Sequence, residues 1–163
     1  MDSTSCWETG KDDKGSSINI KSVLGRTGNA IEISYDLKEE GYVTMYKEID
    51  PEILSGTEAI IFFYKGSGES NTIQLGLKYI DVDETIFGVS SDRKTVVEDW
   101  VCIEVPYTRF DCWWPDVSCQ YYGDTLDLRN VGKIGFGIQN YPRDGDVNGS
   151  GRLIIDDVYG IKS

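Results

Sequence analysis

The residues most able to do chemistry in this sequence crowd into positions 110–122, Phe110-Asp111-Cys112-Trp113-Trp114-Pro115-Asp116-Val117-Ser118-Cys119-Gln120-Tyr121-Tyr122. Two Trp, two Tyr and a Phe stand within thirteen residues, and two cysteines bracket the middle. No period-two or helical pattern runs through the stretch, and Pro115 with Asp116 makes it read as a loop. Rings that meet solvent on a loop tethered at both ends suit a flat ligand with apolar faces, and a sugar ring is one such ligand. The plainer reading is a lid folded back over the edge of the core. On the ligand reading Trp113, Trp114, Tyr121 and Tyr122 are stacking platforms, and Arg109 and Asp111 beside them are hydrogen-bond partners for hydroxyls.

Charge and residue types bound the rest of the chemistry. The formal charge is −12, with the acids spread along the chain rather than gathered in a tail. That sign argues against nucleic acid and anionic membrane, because both need a basic footprint. No apolar run approaches membrane-spanning length. Met1-Asp2-Ser3-Thr4-Ser5 has no signal-peptide core and reads as a start residue on an excised module. Histidine is absent, which removes the commonest general base, the Ser-His and Cys-His nucleophile pairs and the usual zinc ligand. Cys6, Cys102, Cys112 and Cys119 allow three full pairings. Cys112 with Cys119 is favoured because it closes a short loop; Cys6 and Cys102 pair or stay free, and four unrelated thiols are the alternative. A bridge implies an oxidising, extracellular setting.

Two acidic stretches need partners. Asp144-Gly145-Asp146-Val147-Asn148-Gly149 begins with the acid spacing of an EF-hand, but Ile155 stands where the twelfth-position Glu belongs. A polar β-loop is expected there, and Asn148-Gly149-Ser150 within it is a glycosylation sequon. Ile155-Asp156-Asp157-Val158 puts at least one carboxylate at the core edge, where it needs a cation or a Lys or Arg. Neighbours on one strand point to opposite faces, so this pair is not the cleft-spanning acid couple of a glycosidase.

The elements that must position these residues read as strands and turns nearly throughout. Residues 30–37 alternate cleanly, with Ile31, Ile33 and Tyr35 on one face. Residues 72–79 and 133–141 do the same, while 58–65 is a continuous apolar run expected to form a central strand. Residues 85–89 read as a short strand followed by a turn over 90–94. No helix, internal repeat or linker is evident, and about ten short strands with Gly-rich turns predict one module over 1–163: an all-β, two-sheet antiparallel β-sandwich. If Val43 and Met45 face the core, Tyr42, Thr44 and Tyr46 turn outward; if Ile134, Phe136 and Ile138 do, then Gly135, Gly137, Gln139 and Tyr141 turn outward. Strand glycines sometimes mark a ligand's approach to the backbone. Tyr42, Tyr46, Tyr141 and Gln139 therefore join the candidate contacts.

Read whole, the chain resembles the jelly-roll carbohydrate-binding modules of the family 11 and family 30 type. The resemblance spans Trp7 to Ile161 and rests on Trp7-Glu8-Thr9-Gly10, Gly28-Asn29-Ala30-Ile31, Leu54-Ser55-Gly56 and the apolar Ala59-Ile60-Ile61-Phe62. More telling are Trp100-x-x-Ile103-x-Val105-Pro106, the run from Leu126-Asp127-Leu128-Arg129-Asn130-Val131 to Gly135-Phe136, and Leu153-Ile154-Ile155-Asp156-Asp157-Val158-Tyr159. It implies a concave sheet face holding a plant cell-wall β-glucan such as cellulose chains, mixed-linkage glucan or xyloglucan. It also implies a monomeric, non-catalytic module of a secreted polysaccharide-degrading enzyme or scaffold. A structural calcium is implied as well, on Glu8 and Asp156 with Asp157 in reserve. The Cys112–Cys119 segment departs from the family pattern. The complex I assembly factors of the intermediate-associated type share several motifs and give the alternative, an interaction protein using the aromatic patch; an enzyme ranks third.

Overall fold

The computed structural model describes residues 4–162. Two antiparallel sheets pack face to face, with strands numbered in chain order. The six-stranded sheet runs β1 (Trp7–Lys11), β4 (Tyr42–Glu48), β10 (Val131–Gln139), β6 (Thr72–Tyr79), β7 (Ile86–Lys94), β9 (Asp111–Trp114). The five-stranded sheet runs β2 (Ser17–Leu24), β3 (Asn29–Leu37), β11 (Gly149–Ile161), β5 (Ala59–Gly68), β8 (Val97–Pro106). The architecture is the expected all-β sandwich, and consecutive strands often change sheet.

Alternation decides which side chains fill the space between the sheets. Ile31, Ile33 and Tyr35 of β3, Ile73, Leu75 and Leu77 of β6, and Ile134, Phe136 and Ile138 of β10 are all buried. Phe62 of β5 meets Phe136 edge-on at 5.0 Å between centroids, joining the two sheets at their middle. The centre of the five-stranded sheet is β11 rather than the apolar β5. Only Ile60, Phe62 and Tyr64 of β5 are buried among its apolar residues after Ala59. Phe63 faces outward, under the Arg26 guanidinium at 3.8 Å.

Two expectations are corrected. Residues 90–94 continue β7 instead of turning, and the chain crosses to the other sheet at Thr95. Thr95 is buried there because its hydroxyl accepts from Asn71 N–H at 3.0 Å and from Tyr35 Oη at 3.1 Å. Polar Trp7–Lys11 forms an edge strand, held by pairing with β4. Residues 110–122 are not a loop: they are β9 followed by a helix, α1 (Asp116–Tyr122). Asp116 sits in the first turn of α1, where the helix dipole favours a carboxylate, and Gly123 ends it at φ 68. Two turns were too short to show a period.

Asp12 ties the start of β4 to the β1–β2 connection. Its carboxylate accepts from Lys14 N–H at 2.6 Å and from Tyr42 N–H at 2.8 Å. Burial alone would raise its pKa, but hydrogen bonds from Ser16, Tyr42 and Lys14 outweigh burial and lower it from 3.8 to about 2. A depressed carboxylate pKa contributes stability that is complete above 3.8 and is lost as pH falls toward about 2. We expect the melting temperature of Asp12→Asn to lie below the parent's at pH 6 and to converge on it between those values. Parallel curves down to pH 2 would refute the assignment.

Candidate functional site

The outer face of the six-stranded sheet carries most of the candidate contacts, and its middle is a row of glycines. Strand register aligns Gly135 of β10 with Gly76 of β6, and Gly76 with Gly88 of β7. Two rings lie on that row. Tyr46 extends from β4 across Gly135 and Gly76, so that a Cβ at either glycine would run into its ring. Trp113 lies over Gly88 in the same way from the other side. The glycines thus seat the protein's own aromatics, which form a low floor running across the strands.

A bulge aims Trp113. Cys112 pairs with Phe87 and Trp114 with Ile86, leaving Trp113 as the extra residue between them. The Cys112–Cys119 disulfide then joins β9 to α1 with a Cα separation of 5.5 Å, and the Trp114–Pro115 peptide is cis. Cys6 and Cys102 are free and exposed. Helical spacing turns Tyr122 inward: it meets Tyr79 edge-on at 5.0 Å and donates to Asp81 Oδ2 at 3.2 Å. Tyr122 is a strut beneath the helix rather than part of the groove. Tyr121, its ring edge-on to Tyr122 at 5.0 Å, stands 83% exposed, and Trp114 is 56% exposed at the rim.

The remaining candidates fall along the same face. Asp111 pairs with Gly88 beside Trp113 and is exposed. Tyr42 and Gln139 are opposite one another at one end of the groove, where Gln139 Nε2 donates to Glu40 O at 3.5 Å. Tyr141 reaches back over the sheet, its hydroxyl accepting from Gln74 Nε2 at 2.9 Å. Arg109 is directed elsewhere, toward Asp92 at 3.4 Å, in the cleft between β7 and β8.

Side chains outside the candidate set complete the face. Thr44, Gly137, Gln74 and Ser90 form a register row beside the glycines. Lys78 Nζ lies 4.1 Å from the Tyr46 centroid, a cation–π contact on that ring. Burial pushes the Tyr46 hydroxyl up to about 12, so it stays neutral. Gln74 and Lys78 were legible as outward residues of an alternating strand, but only the sheet order places them between Tyr46 and Trp113.

The residues named for calcium do not converge. Glu8 pairs with Tyr46 on the groove face, with Oε2 3.4 Å from Lys133 Nζ. Asp156 lies on the outer face of the other sheet, its Oδ2 accepting from Arg26 N–H at 2.7 Å and Thr27 N–H at 3.1 Å. Its Oδ1 accepts from Asp157 N–H at 2.8 Å. A carboxylate filled by three N–H donors, across the sandwich from its supposed partner, does not fit a shared cation. Among the described residues no group of three or more Cys, Asp or Glu is placed to hold a metal. Asp157 also departs from expectation. The β11 register slips after Asp156, and Asp157 turns to the same segment, 2.6 Å from Arg26 Nη1.

The outer face of the six-stranded sheet thus gathers aromatic rings flanked by amides, hydroxyls, a carboxylate and an ammonium. No family model matches the chain. A family 11 carbohydrate-binding module from Clostridium thermocellum, solved with a β-1,3-1,4-mixed-linked tetrasaccharide, superposes with a TM-score of 0.77 at 25% identity, covering 99% of this chain and 91% of that one. The family 11 module of the cellulosomal cellulase Lic26A-Cel5E from the same organism gives 0.75 at 25% identity, covering 99% and 90%. A family 30 module of the C. thermocellum cellulosomal cellulase Cel9D-Cel44B shares the fold at 0.63 and 12% identity, covering 99% and 94%. Endoglucanase H of Acetivibrio thermocellus is 27% identical over 155 residues, 89% of this chain, and the chain spans 16% of that enzyme's length. The chain has the jelly-roll architecture of the family 11 and family 30 carbohydrate-binding modules.

Proposed function

We propose that this chain is a non-catalytic carbohydrate-binding module that holds a β-glucan chain across the strands of its six-stranded sheet. The observation that carries this reading is the pair of rings laid on the glycine row, Tyr46 over Gly135 and Gly76 and Trp113 over Gly88. A pyranose offers a C–H face for stacking and equatorial hydroxyls for Gln74, Gln139, Asp111 and Lys78, and each ring contributes on the order of 1 kcal/mol. Micromolar affinity needs roughly 8 kcal/mol, so several contacts act together. The mixed-linked tetrasaccharide bound by the family 11 relative makes β-1,3-1,4-glucan the first ligand to test, with xyloglucan and cellulose chains next. The likeness to part of an endoglucanase supports a place within a secreted polysaccharide-degrading protein, and the disulfide suits an extracellular setting.

The test is calorimetry and gel retardation against a panel of soluble polysaccharides. Binding of mixed-linkage glucan but not of a starch-type α-glucan is expected. A folded protein that retards on none of the β-glucans would end this reading.

A further inference from the structure

We propose that Asp146, acting with Lys94 and Thr72, positions Tyr141 in the groove and thereby sets its grip on the sugar; this rests on the carbohydrate-binding reading above. Tyr141 lies two residues beyond the end of β10, where strand pairing no longer directs it. Its direction comes instead from a charge cluster beneath it. The Asp146 side chain is 0% exposed. Its Oδ2 accepts from Tyr141 N–H at 2.8 Å, from Thr72 N–H at 3.2 Å and from the Thr72 hydroxyl at 2.7 Å. Its Oδ1 accepts from Lys94 Nζ at 2.7 Å, and the same ammonium donates to Thr72 Oγ1 at 2.9 Å.

Thr72 is opposite both Gln139 of β10 and Lys94 of β7. The carboxylate is therefore fixed to the sheet and in turn fixes the turn that carries Tyr141. The Tyr141 carbonyl accepts from the N–H groups of Asp144 and Asp146 at 2.9 and 3.2 Å. With N–H and C=O both committed, the Cα–Cβ direction of Tyr141 is set, and Gln74 catches the hydroxyl at 2.9 Å. An apolar cluster of similar volume would give comparable cohesion; what the carboxylate adds is a bond to one particular N–H. Asp146 and Thr72 are positioning residues, acting on sugar through Tyr141.

The test is a double-mutant cycle read in the Kd for the β-1,3-1,4 tetrasaccharide, using the parent, Asp146→Asn, Tyr141→Ala and the combination. Asp146→Asn is expected to raise Kd by about fivefold when Tyr141 is present and to add nothing when it is Ala, the size expected for one stacking contact. Its effect on melting temperature is expected to be equal in both backgrounds, which separates positioning from general destabilisation. Thr72→Val removes the hydroxyl bonds while keeping the Lys94–Asp146 pair, and it shifts Kd in the same direction even if Asp146→Asn folds poorly; Thr72→Ser restores the parent value. An unchanged Kd in both Asp146→Asn and Thr72→Val, or equal losses with and without Tyr141, overturns the positioning role alone. A parent that does not bind, or Tyr141→Ala binding like the parent, overturns the groove reading at this end and the proposal with it.

Discussion

Trp113→Ala is expected to raise the Kd for the mixed-linked tetrasaccharide by about tenfold, with no comparable loss of fold stability. The indole lies over Gly88 at the outer edge of the sheet, 38% exposed, with one face on the strand and the other toward solvent. Removing it deletes a platform without opening the core, because Phe87 on the inner side keeps its contacts, including Tyr79 at 5.0 Å. Gly88→Val provides a companion measurement. A side chain at that position runs into the indole, so the ring must lift although it is still present, and binding should weaken while the strand tolerates the β-branched residue. Tyr121→Ala should have a smaller effect, since the Tyr121 ring leans on Tyr122 beside α1 and not on the glycine row. If Trp113→Ala and the parent bind the tetrasaccharide alike, the glycine row is not the sugar's path.

Asp156→Ala is expected to be the largest single loss of stability among the acidic residues, about 3 kcal/mol. Asp156 is 1% exposed and accepts from three backbone N–H groups, those of Arg26, Thr27 and Asp157. Alanine leaves these donors facing an apolar methyl, and the turn at residues 25–28 loses its attachment to the last strand. The closeness of that attachment explains Gly25, where any Cβ would meet the carboxylate. Arg26 and Thr27 also bind Asp157, so the two acids together latch one turn. Urea unfolding gives the measurement, and a parent-like midpoint would sink the latch. A chelator-induced loss of stability that disappears in Asp156→Ala would place a metal on this carboxylate instead.

Much of this protein was legible before folding. Period-two alternation along 30–37, 72–79 and 133–141 determined which side chains form the core. By the same geometry it determined that Tyr42, Tyr46, Gln139 and the strand glycines face outward. The short spacing of Cys112 and Cys119 pointed to the disulfide that forms. What alternation does not carry is which strands lie side by side. Only the order β4-β10-β6-β7-β9 puts Tyr46 and Trp113, 67 residues apart in numbering, on one row of glycines.

The misreadings share that cause. Gly135, taken as a place for a ligand's approach, seats the protein's own Tyr46 ring, while Gly137 carries no ring. Glu8 and Asp156, near opposite ends of the chain, lie on opposite faces of the sandwich. Asp156 and Asp157 look like alternating neighbours until the register slip turns both to one segment. Tyr122 is indistinguishable from Tyr121 by composition, and one helical step separates a half-buried strut from an exposed ring. The sequence by itself determined the sandwich and the chemistry of its faces, because burial follows local period. Which rings and polar groups share one face was decided by tertiary structure alone, because it depends on strand neighbours that the period does not encode.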